Sequence, residues 1–246
     1  MLGELLEDSA FLEGVEEFQR FDPGVLRLTG LLPNEYLYYY YHREKALENI
    51  TKAGSARGRN IEEINRRMFE ELRGMDADKD PEEMLQTFLY YMQQRENSYM
   101  AVETGGKGRP MQERGQLPVP EGIGYAGVML DCIEGMQSDK GRYLVLSVEN
   151  NGALPQLADR DVVEMTCLVS KEGIQPVKVE NPPEDCMVLI NSIKHYERLA
   201  AEAIVEQSRE KAVRALMLHP LINSYSLAEK LLTEYGEAYG GLFGES

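Results

Sequence analysis

The feature that most constrains this chain is a change of hydrophobic period at Gly141. Before it, apolar residues recur at three- and four-residue spacing; after it a segment reads with a period of two, and then helical spacing returns. Tyr143 to Val148 reads as one strand, Asp161 to Val169 as a second and Gln175 to Val179 as a third. Asn150-Asn151-Gly152 and Glu172-Gly173 are turn sequences, and short turns join antiparallel neighbours. Helices, then a small antiparallel sheet, then helices make an α+β fold and not a βαβ array. The expectation is one mostly helical domain over residues 1–246 without internal repeats.

The helices follow from their stripes and breakers. Leu5, Leu6, Phe11, Leu12, Val15 and Phe18 predict an amphipathic helix over residues 2–20, ended by Asp22-Pro23-Gly24. Residues 1–30 are expected to pack on the core or on a neighbour. Pro33 stops what precedes it, and Asn34 can cap a helix from Glu35 to about Ile50. That helix holds Tyr36 and Tyr38 to Tyr41, five of the chain's 14 tyrosines. Tyr36, Tyr39 and Tyr40 share one face on it, an arrangement that ordinarily serves packing. Ala53 to Asn60 reads as a small, basic loop before a helix over Ile61 to Leu72. Asp80-Pro81 opens another helix, which runs to about Met100 and carries the polar cluster Arg95-Glu96-Asn97-Ser98-Tyr99. Residues 103–121, rich in Gly, Pro and charge, predict a flexible loop. Further helices are expected over Val128–Met136, Cys186–Leu218 and Ser226–Tyr239.

Several chemistries are disfavoured. A net charge of −16 argues against a nucleic acid partner. Cys132, Cys167 and Cys186 have no CxxC or paired-histidine spacing, so buried free thiols are expected in place of zinc ligands. The Asp76-x-Asp78-x-Asp80 run lacks the glycine and glutamate of a calcium loop. Gly122-Ile123-Gly124-Tyr125-Ala126-Gly127 matches GxGxxG, yet Leu117-Pro118-Val119-Pro120 before it cannot be a central parallel strand, so a dinucleotide fingerprint is rejected. No apolar run approaches a membrane span, and the N-terminus lacks a signal peptide's basic start and apolar core. A cytoplasmic location is the expectation.

Three blocks carry a resemblance: Pro33-x-x-Tyr36-Leu37-x-Tyr39-Tyr40-Tyr41; Ser147-Val148-Glu149-Asn150-Asn151-Gly152-Ala153-Leu154-Pro155 with Asp161-Val162-Val163-Glu164; and Tyr196-Glu197-Arg198-Leu199-Ala200-Ala201-Glu202-Ala203 with Ala215-Leu216-Met217-Leu218-His219-Pro220-Leu221. Their order and spacing resemble the C-terminal half of glycoside hydrolase family 4, nearest to its 6-phospho-β-glucosidase branch. The resemblance implies an α+β domain like the C-terminal domain of lactate and malate dehydrogenases, and a glycosidase that works by NAD-dependent oxidation, elimination and addition with manganese(II). It implies a tyrosine base, best matched by Tyr36, with Tyr39 and Tyr40 as alternatives. Arg95, Asn97 and Asn151 are the substrate-binding candidates; Arg57 and Arg59 are further cations for a sugar phosphate, and a solvated or salt-bridged role is the alternative for each arginine. His42 stands beside the tyrosines as a lone candidate, with an ordinary surface or capping role as its alternative. Pro120-Glu121 stands where many members carry an arginine.

The family's Rossmann half and its metal-binding Cys and His motifs find no match here. This chain alone is therefore expected to bind neither NAD nor manganese and to be inactive without the Rossmann half. A phosphorylated or plain glycoside is the expected substrate, and a homo-oligomer the expected assembly. The alternative is a non-catalytic oligomerisation or assembly module derived from the family.

Overall fold

A computed structural model of the protein describes residues 2–106, 111–115, 117–118, 124–241 and 243. The chain divides into two compact units, Met1–Pro120 and Glu121–Ser246.

The first unit is helical. The stretch expected as one helix over 2–20 is instead α1 (Leu2–Glu7), α2 (Ser9–Gly14) and α3 (Glu16–Gln19). Asp8 breaks it by capping α2, its carboxylate accepting from the amides of Ala10 and Phe11, and Val15 is extended. α4 (Pro23–Thr29) follows, capped by Asp22 and closed by Gly30 in the left-handed region. Asn34 does cap the next element, accepting from the Tyr36 amide at 2.9 Å. What it caps is a single 3₁₀ turn, Glu35–Leu37, leading into α5 (Tyr38–Tyr41). His42 (φ −124°, ψ 35°) separates α5 from α6 (Arg43–Ala53). α7 (Arg57–Arg73) starts earlier than expected and shortens the preceding loop. α8 (Pro81–Asn97) and the short α9 (Ala101–Thr104) complete the unit. Its core is Leu6, Leu12, Phe21, Leu26, Tyr38, Ala46 and Met100, so residues from 1–30 are built into it.

Part of the segment 103–121 is tied down. Gln86 on α8 brackets Leu117, donating to its carbonyl and accepting from its amide, each at 3.0 Å. Gln112 N–H donates to Gln93 at 3.0 Å, and Arg114 pairs with Glu71 of α7.

The second unit opens with α10 (Tyr125–Gln137) and contains the sheet β1 (Arg142–Glu149), β2 (Val162–Ser170) and β3 (Gly173–Pro176). The strands are antiparallel in the order β1-β2-β3, as the turn chemistry predicts. The register sets Leu144 opposite Cys167, Leu146 opposite Met165 and Val148 opposite Val163. By the two-residue strand period these side chains share one face, and Tyr143 and Val145, both exposed, share the other. α10 reaches the inner face through Gly135, where a Cβ would lie 2.9 Å from the Val169 carbonyl oxygen. α11 (Glu184–Glu206) packs Met187 and Ile190 with Leu157 and Val163. The single helix expected over 186–218 is broken at Gln207 (φ 53°), after which Ser208 caps α12 (Arg209–Leu218). Ser224 caps α13 (Tyr225–Tyr239), and Gly240 ends it. Ala203, Ala212, Val213, Ala228 and Leu232 form the core shared by these three helices.

Candidate functional site

The tyrosine stretch does not present Tyr36, Tyr39 and Tyr40 as one helical face. The 3₁₀ turn and the break at His42 distribute the side chains differently. Tyr38 is the core residue, 1% exposed, with its ring 6.1 Å from Phe21 and 4.9 Å from the His42 imidazole. Tyr39 is half-buried. Tyr40 is exposed and sets its ring 5.2 Å from Tyr41. Tyr36 is 62% exposed at the tip of the turn.

Behind Tyr36 lies a polar assembly. Glu35, its neighbour, turns inward to pair with Arg20 and to accept a 2.6 Å hydrogen bond from the Tyr99 hydroxyl. The Tyr99 ring meets Tyr36 edge-on, centroids 6.2 Å apart. Two guanidinium groups lie over that ring, Arg57 at 5.0 Å and Arg20 at 5.5 Å. Such contacts favour a cation held against an aromatic face. Burial, the bond to Glu35 and the adjoining Tyr36 phenol together raise Tyr99 well above the ordinary phenol range, so it is a donor and not a base. Tyr39 is pushed up to about 12, first by burial and then by the Glu103 carboxylate, with Arg57 opposing. Among the alternatives to Tyr36, Tyr39 is thus held protonated.

The other candidates lie as follows. Arg95 at the end of α8 donates from Nη1 to Asn65 Oδ1 at 3.3 Å, and its carbonyl accepts from Arg57 Nη2 at 3.5 Å. Contacts therefore run from Tyr36 through Tyr99 and Arg57 to the Arg95 backbone. Asn97 Nδ2 donates to Met111 Sδ at 3.0 Å. Arg59 is exposed on α7. Asn151 belongs to the second unit, exposed and left-handed at φ 43°. His42 is neutral: burial lowers it, and its Nε2 accepts the Asp22 amide at 3.3 Å.

In the second sequence block the structurally committed residue is Asn150, which sequence reasoning passed over for Asn151. Its side chain is fully buried. Nδ2 donates to the carbonyls of Leu154, Leu157 and Ala158 at 3.0, 3.2 and 3.3 Å, and Oδ1 accepts the Leu154 amide at 2.7 Å. Asp161, also buried, accepts from Arg198 Nε at 2.8 Å and from the Ala158 amide at 3.0 Å. The loop between β1 and β2 is wound around these two side chains. Arg20, Glu35 and Glu103 carry no sequence signal of a site either, and Tyr99 shows only as the last residue of the polar cluster that starts at Arg95, because no local pattern marks residues that meet only on folding.

Among the described residues no group of three or more His, Cys, Asp or Glu side chains is placed to hold a metal ion. The cysteines are free, Cys167 buried and Cys132 and Cys186 half-buried. Gly124 (φ 51°) precedes α10, while residues 122 and 123 of the glycine motif lie outside the described residues. No parallel strand leads into α10 among the described residues, so the strand–turn–helix unit of a dinucleotide site is not formed by them. Among the described residues no helix is long and apolar enough to cross a membrane.

The chain is similar to known proteins over most of its length. The model of the family 4 glycosyl hydrolase C-terminal domain matches residues 3–222. A probable 6-phospho-β-glucosidase of Bacillus subtilis is 26% identical over 222 residues, which are 89% of this chain and 43% of that protein. The 6-phospho-β-glucosidase of Thermotoga maritima, solved with manganese, NAD+ and glucose-6-phosphate, aligns with a TM-score of 0.63 at 22% identity, over 94% of this chain and 46% of that one. A 6-phospho-α-glucosidase from gut microorganisms, solved with NAD and glucose-6-phosphate, aligns with a TM-score of 0.58 at 25% identity, over 91% of this chain and 44% of that one. The chain spans less than half the length of each of these relatives.

Proposed function

The chain belongs to family 4 of the glycosyl hydrolases, of which it carries the C-terminal domain, and on that premise we propose that it forms the sugar-side part of a 6-phospho-β-glucosidase-type enzyme. With a cofactor-binding part it would cleave O-glycosidic bonds by the family's NAD-dependent oxidation, elimination and addition. The share assigned to this chain is substrate binding and proton transfer. Tyr36 is the proposed base. One observation carries this assignment: Tyr36 is the exposed phenol of the turn, and Tyr99, Arg57 and Arg20 stand behind it. Arg95 and Asn97 are the proposed substrate contacts of the first unit, and Asn151 is a separate candidate in the second. By this reading the chain alone does not turn over.

A second reading, an assembly module without chemistry, draws on the apolar exposure of α10. Tyr125, Met129, Ile133 and Met136 recur at helical spacing and are 96%, 58%, 45% and 46% exposed.

The test is hydrolysis of chromogenic α- and β-6-phosphoglycosides with NAD, manganese(II) and reductant, before and after adding a separately made N-terminal half of a family 4 enzyme. Activity that appears with the partner and falls on the order of 100-fold or more in Tyr36→Phe is the expected result. Turnover by the chain alone, or full activity in Tyr36→Phe, would overturn the assignment. A folded self-associating chain that binds neither partner nor sugar phosphate would favour the assembly module.

A further inference from the structure

Tyr36 is an exposed phenol, so its own packing does little to set its direction. Its neighbours in the chain are fixed instead. Asn34 accepts the Tyr36 amide at 2.9 Å, and Tyr38, two residues on, is anchored in the core. Between them Glu35 is held at both ends of its carboxylate. Oε1 accepts the Tyr99 hydroxyl at 2.6 Å, and Oε2 pairs with Arg20 Nη1. The Arg20 and Glu35 side chains are 15% and 25% exposed, so this pair is shielded, unlike the solvated surface pairs that contribute little. Charge-assisted bonds of this kind are the stronger class.

The two partners come from distant parts of the first unit. Arg20 follows α3, and Tyr99 lies between α8 and α9. Tyr99 is in turn the ring that Tyr36 rests against: the two meet at an interplanar angle of 87° with centroids 6.2 Å apart, an edge-to-face contact of the favoured kind. Arg57 and Arg20 over the same ring hold it further. The residue that ties down the turn therefore also ties down the surface beside the phenol. Each oxygen of Glu35 is engaged within the protein, which suits support of a neighbour and not contact with a ligand. A base acts only from a narrow range of positions, and misplacement by about 1 Å can cost on the order of 100-fold.

We propose that Glu35 is a positioning residue for Tyr36: by holding the Tyr99 hydroxyl and the Arg20 guanidinium, its carboxylate fixes both the turn and the ring against which the exposed phenol is set. The catalytic consequence rests on the reading of Tyr36 as base. The relation among Glu35, Tyr99 and Tyr36 does not, and it is measured without turnover.

The experiment records nuclear Overhauser cross-peaks between aromatic rings in the full chain, with Tyr36 assigned by Tyr36→Phe. The parent chain is expected to show a cross-peak between the rings of Tyr36 and Tyr99. In Glu35→Ala that cross-peak is lost, while the one between Phe21 and Tyr38, whose rings meet in the core, remains. Glu35→Gln keeps an acceptor for the Tyr99 hydroxyl and loses the charge facing Arg20, so its cross-peak is weakened. This variant decides the matter if Glu35→Ala does not fold. A Tyr36–Tyr99 cross-peak of parental intensity in the folded variants, or none in the parent, would overturn the proposal. In the reconstituted enzyme Glu35→Ala is expected to lower kcat about tenfold with KM little changed, and Glu35→Gln to lose less. Added to Tyr36→Phe, Glu35→Ala is expected to cost nothing further. Multiplicative losses, or a loss confined to KM, would overturn the claim that Glu35 acts through Tyr36. Failure of reconstitution with the cross-peak result intact would count against the proposed activity and not against this arrangement.

Discussion

Tyr99 and Glu35, 64 residues apart in the chain, are joined by a 2.6 Å hydrogen bond from phenol to carboxylate. The bond ties the end of α8 to the tyrosine turn and aligns the ring on which Arg20 and Arg57 rest. Tyr99→Phe keeps the ring and removes the bond, so it should cost about 1–2 kcal/mol. Tyr99→Leu removes the aromatic face that both guanidinium groups stack on and should cost about 3 kcal/mol. Equilibrium urea unfolding of the two variants checks the order. Equal losses would mean that the hydroxyl alone matters.

The adjacent asparagines of the β1–β2 loop should behave oppositely. Asn150→Ala strips partners from one amide and three carbonyls in a buried site and should cost about 3 kcal/mol or more. Asn151 is exposed at φ 43°, so Asn151→Gly should be neutral or slightly stabilising, and Asn151→Ala should cost about 1 kcal/mol. Thermal unfolding of the three variants is sufficient. A larger loss at 151 than at 150 would contradict the burial difference.

Acid should destabilise the chain in two stages. His42 and His219 are lowered by burial, and each uses a bare ring nitrogen to accept a backbone amide, from Asp22 at 3.3 Å and from Leu221 at 3.2 Å. The unfolded imidazoles take up protons first, so stability begins to fall as pH drops below about 6.5. Asp161 is held below the ordinary carboxylate range, chiefly by Arg198. Its contribution is complete above the unfolded value of about 4 and is lost as pH falls through its lower native value. Unfolding free energies measured from pH 8 to about pH 3 should show both stages. His42→Gln should weaken the first and Arg198→Gln the second.

α10 depends on a position without a side chain. At Gly135 an added Cβ would meet Val169 O at 2.9 Å and Val169 Cγ1 at 3.0 Å. Gly135→Ala should therefore cost about 1–3 kcal/mol despite the better helix propensity of alanine. Gly58 on α7 has nothing within 4 Å, and Gly58→Ala should be neutral or stabilising by up to about 0.5 kcal/mol. Calorimetry of both variants separates steric from conformational effects.

Local chemistry made much of this molecule readable in advance. Strands β1 and β2, the antiparallel order and the turns at Asn150-Asn151-Gly152 and Glu172-Gly173 follow from a two-residue period and left-handed preference, both properties of neighbours in the chain. The helix ends at Asn34, Pro81 and Gly240 follow from capping chemistry of the same range. The blocks around Tyr36, Asn150 and Tyr196 were enough to indicate the family.

Breaks within apparently continuous helices were not readable, because they are decided by packing. Stripes over 2–20 and 186–218 look unbroken, yet Asp8 and Ser208 have cap partners within a few residues and the chain turns where the core needs it. The division of labour among the tyrosines was hidden for the same reason. Five similar side chains in sequence become a core residue, a protonated neighbour of Glu103, an exposed ring set against a half-buried one and an exposed phenol on the turn only when Phe21, Arg57, Tyr99 and Glu103 arrive from elsewhere. Sequence by itself determined element types, the sheet order and family membership, since periodicity and caps act over a few residues. Tertiary structure alone decided which phenol faces solvent and which charges stand behind it, since burial and Coulomb interaction depend on distance in space and not along the chain.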